Sequence, residues 1–388
     1  MRRVAVNSDF AAVRSAIRML PLIFLSSLFI FSGTYLAYFL YIKKSVEKPW
    51  NVKIDGGFEP EISILVPVHN EEKNIEEKLE NIKSVSYPME KIDVIVVDDS
   101  SSDGTVERVE NFMRRNPKLN IRLVRQNPRA GKAAALNKAL TGSTKPIVVV
   151  SDADTRWPPD ILRKALPFLA DPHVGAITGR GINANVGESW VTKAEEAYLR
   201  VANLLRLGES KIHSTIRFEG GFCAFKREAF EAFDCETGSD DSGTALEVVL
   251  RGYRALMIPE VVFYTYFPST LSAKFKTKVR RANQLIGLWF RCLRLLIKGR
   301  LSLPKKIAVP EIALFIFNPI IFLVLIVTGV VMVLLNPLSP LSLAVALSIA
   351  CSLFFARRIF FELLLDNVIL LCALVTFMFN RRYVAWEK

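Results

Sequence analysis

The sequence contains no C-x-x-C pair. Its five cysteines, Cys223, Cys235, Cys292, Cys351 and Cys372, are scattered, and they read as free thiols of a reducing compartment. There is no zinc-finger spacing and no other nucleic-acid motif. There is no internal repeat, no low-complexity tract, and no small-residue cleavage site after the first apolar run. Acid is in deficit, with 51 Lys and Arg against 38 Asp and Glu, a net charge of +13. Without a nucleic-acid motif, that surplus points away from nucleic acid. It points toward an anionic membrane face, because the basic clusters flank apolar stretches.

What is present is uneven. Hydrophobic residues make up 51% of the 388, and they concentrate at the two ends around an ordinary, soluble-looking centre. Residues 19–42 are an uncharged, mostly apolar run of about 24 residues, long enough to span a bilayer. Residues 312–335 are a second candidate. Residues 341–356 are short for a span, and residues 359–379 carry Glu362 and Asp366, acids that at membrane depth need an inward-facing partner. Residues 270–301 interleave Lys274, Lys278, Arg280, Arg281 and Arg291 with Phe275, Ile286, Leu288 and Trp289, a pattern suited to the headgroup layer.

In the centre, strands and helices alternate. Strands are expected at 62–66, 94–97, 121–124 and 147–150, and helices at 70–85, 105–113 and 132–140. Repeated βα units imply a mostly parallel sheet covered by helices, with ligands bound beyond the carboxyl ends of the strands. Asn70, Asp98, Asp99, Asp152 and Asp154 all fall there. The stretch PIVVVSDAD (146–154) ends a buried strand in two carboxylates spaced i, i+2, which leave an extended chain on one side. They repel unless water or a cation separates them. A divalent metal carrying phosphates is one such cation. A solvated pair capping the helix near Pro158 is the other reading. Asp240 and Asp241, in the loop GSDDSGT, allow both a helix N-terminal cap and a general base.

Six stretches together resemble the membrane-bound family-2 glycosyltransferases, the group of the cellulose, chitin and hyaluronan synthases. They are ISILVPVHNEE (62–72), VIVVDDSSSDGT (94–105), GKAAALNKAL (131–140), VVVSDADT (148–155), GGFCAFKREAF (220–230) and SDDSGTALEVVLRGYRALMIPE (239–260). The resemblance implies an α/β GT-A catalytic domain, Rossmann-like with a mostly parallel sheet, and transmembrane helices at both ends. Residues 1–50 would be an anchor, 51–268 the catalytic domain, 269–305 amphipathic interfacial helices, and 306–388 the carboxyl-terminal membrane helices. Pro67, Asn70, Glu71 and Asp99 would hold the nucleoside. Lys132, Asp152 and Arg281 would meet the donor diphosphate. Asp154, with Asp152, would hold Mg²⁺ or Mn²⁺. Asp241 would be the catalytic base, and Gly220, Gly221 and Asp240 would face the acceptor.

The implied activity is inverting transfer from a nucleotide-sugar donor, a UDP-sugar favoured, to a saccharide or lipid-linked acceptor. The enzyme would be a multi-pass protein in the lipid bilayer of the cell membrane, with its catalytic domain cytoplasmic; the positive-inside rule, applied to Arg381, Arg382 and Lys388, separately puts the carboxyl terminus in the cytoplasm. A polyprenyl-phosphate sugar synthase is the alternative within the class. A non-catalytic membrane scaffold that keeps the fold is the alternative outside it. The chain departs from the processive synthases at one point. Where those have Gln-x-x-Arg-Trp, it has Lys278-Val279-Arg280-Arg281-Ala282, with no tryptophan platform unless Trp289 takes that part.

Overall fold

The sequence of apolar runs determines where the sheet lies. In the computed structural model, which describes residues 2–355 and 357–379, a long helix α1 (Arg2–Val46) leads into the central domain. There β1 (Ile62–Val68), α2 (Ile75–Lys83), β2 (Ile92–Asp99), α3 (Thr105–Arg115), β3 (Ile121–Gln126), α4 (Lys132–Thr141) and β4 (Ile147–Val150) follow in βα alternation. Then come α5 (Ile161–Ala165), β5 (Val174–Asn183), α6 (Trp190–Ile212), β6 (Cys223–Lys226), α7 (Asp240–Leu250) and β7 (Arg254–Thr265). The carboxyl-terminal part is helical: α8 (Leu271–Ile297), α9 (Lys305–Ile312), α10 (Asn318–Leu335), α11 (Pro340–Phe355) and α12 (Arg357–Met378).

The sheet has seven strands in the order β3-β2-β1-β4-β6-β5-β7, and all its pairings are parallel except those of β6. Every residue of β1, β2 and β4 is buried, which is why these strands read as near-continuous apolar runs instead of alternating ones. Two hydrophobic clusters cover the two faces. One includes Ile64, Val96, Phe112 and Phe222, and the other Leu65, Leu136, Phe225 and Leu246. The chain reverses between β4 and its neighbour, so the carboxyl end of β4 meets the turn that precedes β6.

Two expectations change. The helix expected from residue 70 begins at Ile75, because Asn70 takes a left-handed conformation (φ 54) and residues 70–74 form a turn. The apolar side of α8, expected in the headgroup layer, is buried in protein. Leu288, Trp289 and Cys292 join the second cluster, and Val279, Ala282 and Ile286 pack on Ile369, Ala373 and Leu374 of α12. Trp289 is fully buried, 6.0 Å from the Phe315 ring and stacked on it, so it is core and no acceptor platform.

Three helices among the described residues are long and apolar enough to cross a bilayer: Arg18–Val46, Lys305–Leu335 and Phe360–Met378, with Pro340–Phe355 shorter. Glu362 and Asp366 have partners. Lys274 of α8 lies 2.7 Å from Glu362, and Lys278 lies 3.0 Å from both Asp366 and Glu195 of α6. Breaking a buried pair of this kind leaves an uncompensated charge, so these contacts fasten α12 to α8 and α6. Arg381, Arg382 and Lys388, on which the expected carboxyl-terminal orientation rests, lie outside the described residues.

Candidate active site

The strand ends build the site. At the end of β1, the Asn70 Oδ1 accepts from the Ser102 backbone N–H (2.9 Å), and the Glu71 N–H donates to Thr105 Oγ1 (2.8 Å). These bonds tie the turn after β1 to the turn after β2. Asp99 is fully buried at the end of β2. Its carboxylate accepts from the Gln126 side chain (2.7 Å) and from the backbone N–H groups of Ala130 and Gly131 (both 2.8 Å). Asp99 therefore organises the loop that starts α4, and α4 opens with Lys132.

Lys132 stands between acids from two other elements. Its Nζ is 2.8 Å from Asp152 Oδ1, after β4, and 3.2 Å from Asp240 Oδ2, in the first turn of α7. Burial alone pulls the ammonium down, but Asp152, Asp240 and Asp241 outweigh it and hold Lys132 protonated well above the ordinary lysine range. Burial pushes the Asp152 carboxyl up, and Lys132, with Arg281 and Lys78, more than reverses that, so it stays ionised. Asp240 goes the other way. Burial, with Asp241 and Asp152 beside it, outweighs Lys132 and pushes it up to about 6.

Close approach here requires glycine. A Cβ on Gly220 would lie 2.5 Å from Lys132 Nζ and 2.8 Å from Asp152 Oδ2, and one on Gly221 would enter the Phe263 ring. The Asp241 Oδ1 accepts from Ser239 Oγ (2.8 Å) and from the Ser242 N–H (2.6 Å), which fixes the carboxylate's orientation.

A cavity of about 2160 Å³ takes in Pro67, Glu71, Lys132, Asp152, Asp154, Gly220, Gly221, Asp240, Asp241 and Arg281. Asn70 and Asp99 are not on its wall; they support the loops that are. The cavity continues past these groups between α1, α6 and α12, along Phe31, Leu36, Val201, Leu205, Phe360 and Leu370.

Asp154 is exposed to this cavity while Asp152 is engaged by Lys132. No group of three or more His, Cys, Asp or Glu side chains among the described residues would cage a metal. One or two carboxylate oxygens with room beside them fit Mg²⁺ or Mn²⁺ that completes its shell with water and donor phosphate. Asp154 and Asp152 are the residues that would hold it.

Sequence reasoning missed Lys78. It is fully buried on α2, donates to the Thr155 carbonyl (3.1 Å), and lies 4.1 Å above the Trp157 ring. Burial, reinforced by Arg156, drives its ammonium well below the usual lysine range. Together with Asn81, which clamps Trp157 at both its N–H and its carbonyl (2.8 Å each), it braces the segment that carries Asp152 and Asp154. The signal was present: Lys78 occupies the apolar face of α2 between Ile75 and Ile82.

The value near 6 for Asp240 has a direct consequence. Above it, Asp240 is ionised and helps hold Lys132; below it, the carboxyl takes a proton and the contact weakens. Turnover is expected to fall as pH drops through about 6. Asp240→Asn should flatten that acidic limb and lower the plateau, which a pH–rate profile of both proteins checks. An unchanged limb would assign it to another group.

Comparison with known proteins gives consistent matches. The family model described as glycosyl transferase family 2 matches residues 63–233. Over 266 residues the chain is 27% identical to a poly-beta-1,6-N-acetyl-D-glucosamine synthase of Staphylococcus aureus, covering 67% of this chain and 63% of that one. It is 28% identical over 252 residues to an N-acetylglucosaminyltransferase of Rhizobium meliloti, covering 61% and 58%. The matches thus span about three-fifths of the length of these curated relatives. Among solved structures, mannosyltransferase PcManGT from Pyrobaculum calidifontis, in complex with GDP-Man and Mn²⁺, superposes with a TM-score of 0.81 at 32% identity. That match covers 94% of this chain and all (100%) of the other.

Proposed function

The chain belongs to glycosyl transferase family 2, a membrane-associated glycosyltransferase with a GT-A fold, and we propose that it transfers a hexose, with inversion, to a lipid-linked acceptor at the cytoplasmic face of a membrane. One observation carries this reading. The cavity that holds Lys132, Asp152 and Asp241 is continuous with a passage beside α1 and α12, helices long enough to span a bilayer, lined by Phe31, Leu36, Phe360 and Leu370 together with charged side chains such as Arg206, Lys278 and Asp366. A water-soluble acceptor needs no such passage.

The chemistry follows from the residues on the wall. Lys132 and Arg281 meet the donor diphosphate and offset the charge it gains as it leaves. Asp154 and Asp152 would hold a divalent ion, which would supply Lewis-acid stabilisation to the same leaving group. Asp241 accepts the proton of the acceptor hydroxyl as that oxygen bonds to the anomeric carbon and the bond to the diphosphate breaks. With Asp241 as base and the acceptor oxygen itself as nucleophile, the displacement is direct and the anomeric configuration inverts. The glycosidase pattern of two carboxylates does not apply. A polyprenyl-phosphate synthase is the weaker reading, since a phosphate nucleophile gives the oriented Asp241 carboxylate nothing to do. With Ala282 packed against α12 and Trp289 in the core, the acceptor lacks the tryptophan platform of the processive synthases. This supports addition of one or a few sugars.

For the donor we place guanosine ahead of uridine, because the structure that matches this chain nearly end to end holds GDP-Man. Thermal stabilisation by GDP-mannose, UDP-glucose and UDP-N-acetylglucosamine, each with and without Mn²⁺, tests this. A ligand at a hundred times its Kd adds about 2.7 kcal/mol. The largest shift is expected with GDP-mannose and Mn²⁺. A larger shift with a UDP-sugar would return the donor to uridine, and no shift with any donor would remove the reading.

A further inference from the structure

Two aromatic side chains on the cavity wall have no part in the transfer chemistry. Tyr266 is 72% exposed and Trp190 50%, the two most exposed of the large apolar side chains between residues 51 and 268, and both line the cavity. Aromatic rings left in water inside a concave site mark a surface built for a ligand. Neither is loosely held. Trp190 opens α6 directly after Ser189, whose side chain accepts from the Thr192 N–H in a capping box, and its ring meets Phe361 of α12 edge to face at 5.7 Å. The buried Asn185 side chain donates to the Phe267 carbonyl (2.8 Å) and accepts from the Phe267 N–H (3.1 Å). The loop before Trp190 and the chain bearing Tyr266 are therefore one unit.

Their place in the sheet separates them from the donor. β4, β5 and β7 point the same way, since β4 and β5 both run against β6 and β5 runs with β7. The turns read as the nucleoside site follow β1 and β2. Trp190 and Tyr266 follow β5 and β7, three and four strands beyond β1, which is roughly 14 to 19 Å by strand spacing. β4, with Asp152 and Asp154 at its end, stands between. Asp241 lies on the aromatic side of that divide. Its neighbour Ser242 exchanges hydrogen bonds with the Phe218 backbone (3.2 and 3.3 Å), and the Glu219 carboxylate accepts from the Gly181 N–H of β5 (2.9 Å).

We propose that Trp190 and Tyr266 form the platform on which a sugar ring of the acceptor stacks, so that the acceptor is a lipid that already carries a saccharide, not a bare lipid phosphate or alcohol. The C–H face of a pyranose is apolar while its hydroxyls stay wet, which matches aromatic rings with an apolar body and a wet edge. The sugar hydroxyl reaches Asp241, and the lipid chain continues along the passage that Phe361 borders. The hydroxyl oxygen bonds to the anomeric carbon of the donor, Asp241 gains the proton, and the nucleoside diphosphate departs. This inference rests on the lipid-linked acceptor proposed above and adds its sugar.

The test uses the full chain in detergent with the phytanyl glycosides of mannose, glucose and N-acetylglucosamine, the same sugars free in solution, and phytanyl phosphate. The wild type should glycosylate at least one phytanyl glycoside and leave phytanyl phosphate untouched. Tyr266→Ala, and Trp190→Leu, which still fills the space beside Phe361, are each expected to raise KM for that glycoside by about ten- to a hundredfold, the worth of one desolvated aromatic face. The change in kcat should be far smaller. Tyr266→Phe and Trp190→Phe keep a ring and should recover most of the affinity. Thermal stabilisation by the donor should be the same in all these proteins, which also reports that the variants fold. Unchanged KM, ring-keeping variants as impaired as the others, a weakened donor shift, or transfer to phytanyl phosphate would each overturn the platform. A wild type that used a free sugar as well as its phytanyl glycoside, with KM for both raised in the ring-lacking variants, would keep the platform and remove only the lipid. No transfer to any of these acceptors would remove both readings.

Discussion

Asp154→Ala is expected to abolish transfer and, with it, the dependence of nucleotide binding on Mn²⁺ or Mg²⁺. Asp152 is held by Lys132 at 2.8 Å and is ionised because of it, whereas Asp154, two residues further on, is exposed to the cavity. Replacing Asp154 removes the carboxylate that would hold the metal. Lewis-acid stabilisation of a departing diphosphate contributes several kcal/mol, so loss of turnover by about 10³-fold or more is expected. Calorimetric titration of the donor with and without Mn²⁺ checks the coupling: in the wild type the metal should tighten binding, and in the variant the two titrations should coincide. A variant that keeps its turnover would show that the carboxylate pair only caps the chain before α5.

Asp241→Asn should separate chemistry from binding. The asparagine Oδ1 still accepts from Ser239 Oγ and from the Ser242 N–H, so the first turn of α7 keeps its hydrogen bonds. What disappears is the capacity to take a proton. Loss of one general base costs about 10²–10⁴-fold in rate. Donor affinity, read by thermal stabilisation, should stay near the wild-type value. If affinity fell as far as turnover did, the loop would be a binding element and the base would have to be sought elsewhere on the wall.

Legibility of the sequence followed burial. β1, β2 and β4 are buried on both faces and appear as near-continuous apolar runs, so the βα alternation up to Val150 could be read without coordinates. β5 and β7 could not. Gly175, Gly179 and Gly181 interrupt β5, and its register with β7 shifts at two points, so no regular alternation survives. β6 is four residues long and runs against its neighbours, and its place between β4 and β5 is a tertiary fact. At the site, Asp152, Asp154 and Asp241 lie on one cavity, as expected of residues at strand and helix ends. Asp99 illustrates the limit. Its position at the end of β2 was clear, but its use as the anchor for Ala130 and Gly131 depends on a loop far along the chain. The acids of α12 were equally opaque, because Lys274 and Lys278 lie 88 residues away from Glu362 and Asp366.

The central claim is a single direct displacement in the cavity shared by Lys132, Asp152, Asp154 and Asp241. The anomeric configuration of the new linkage tests it most directly. Product formed by the purified full-length protein from an α-linked nucleotide-sugar and a lipid-linked acceptor can be assigned by NMR from the anomeric proton coupling, or from the one-bond carbon–proton coupling where the sugar is mannose. A single displacement of the diphosphate by the acceptor hydroxyl requires a β-linked product. An α-linked product would contradict the claim, because a single back-side displacement by the acceptor hydroxyl cannot retain the configuration of the donor.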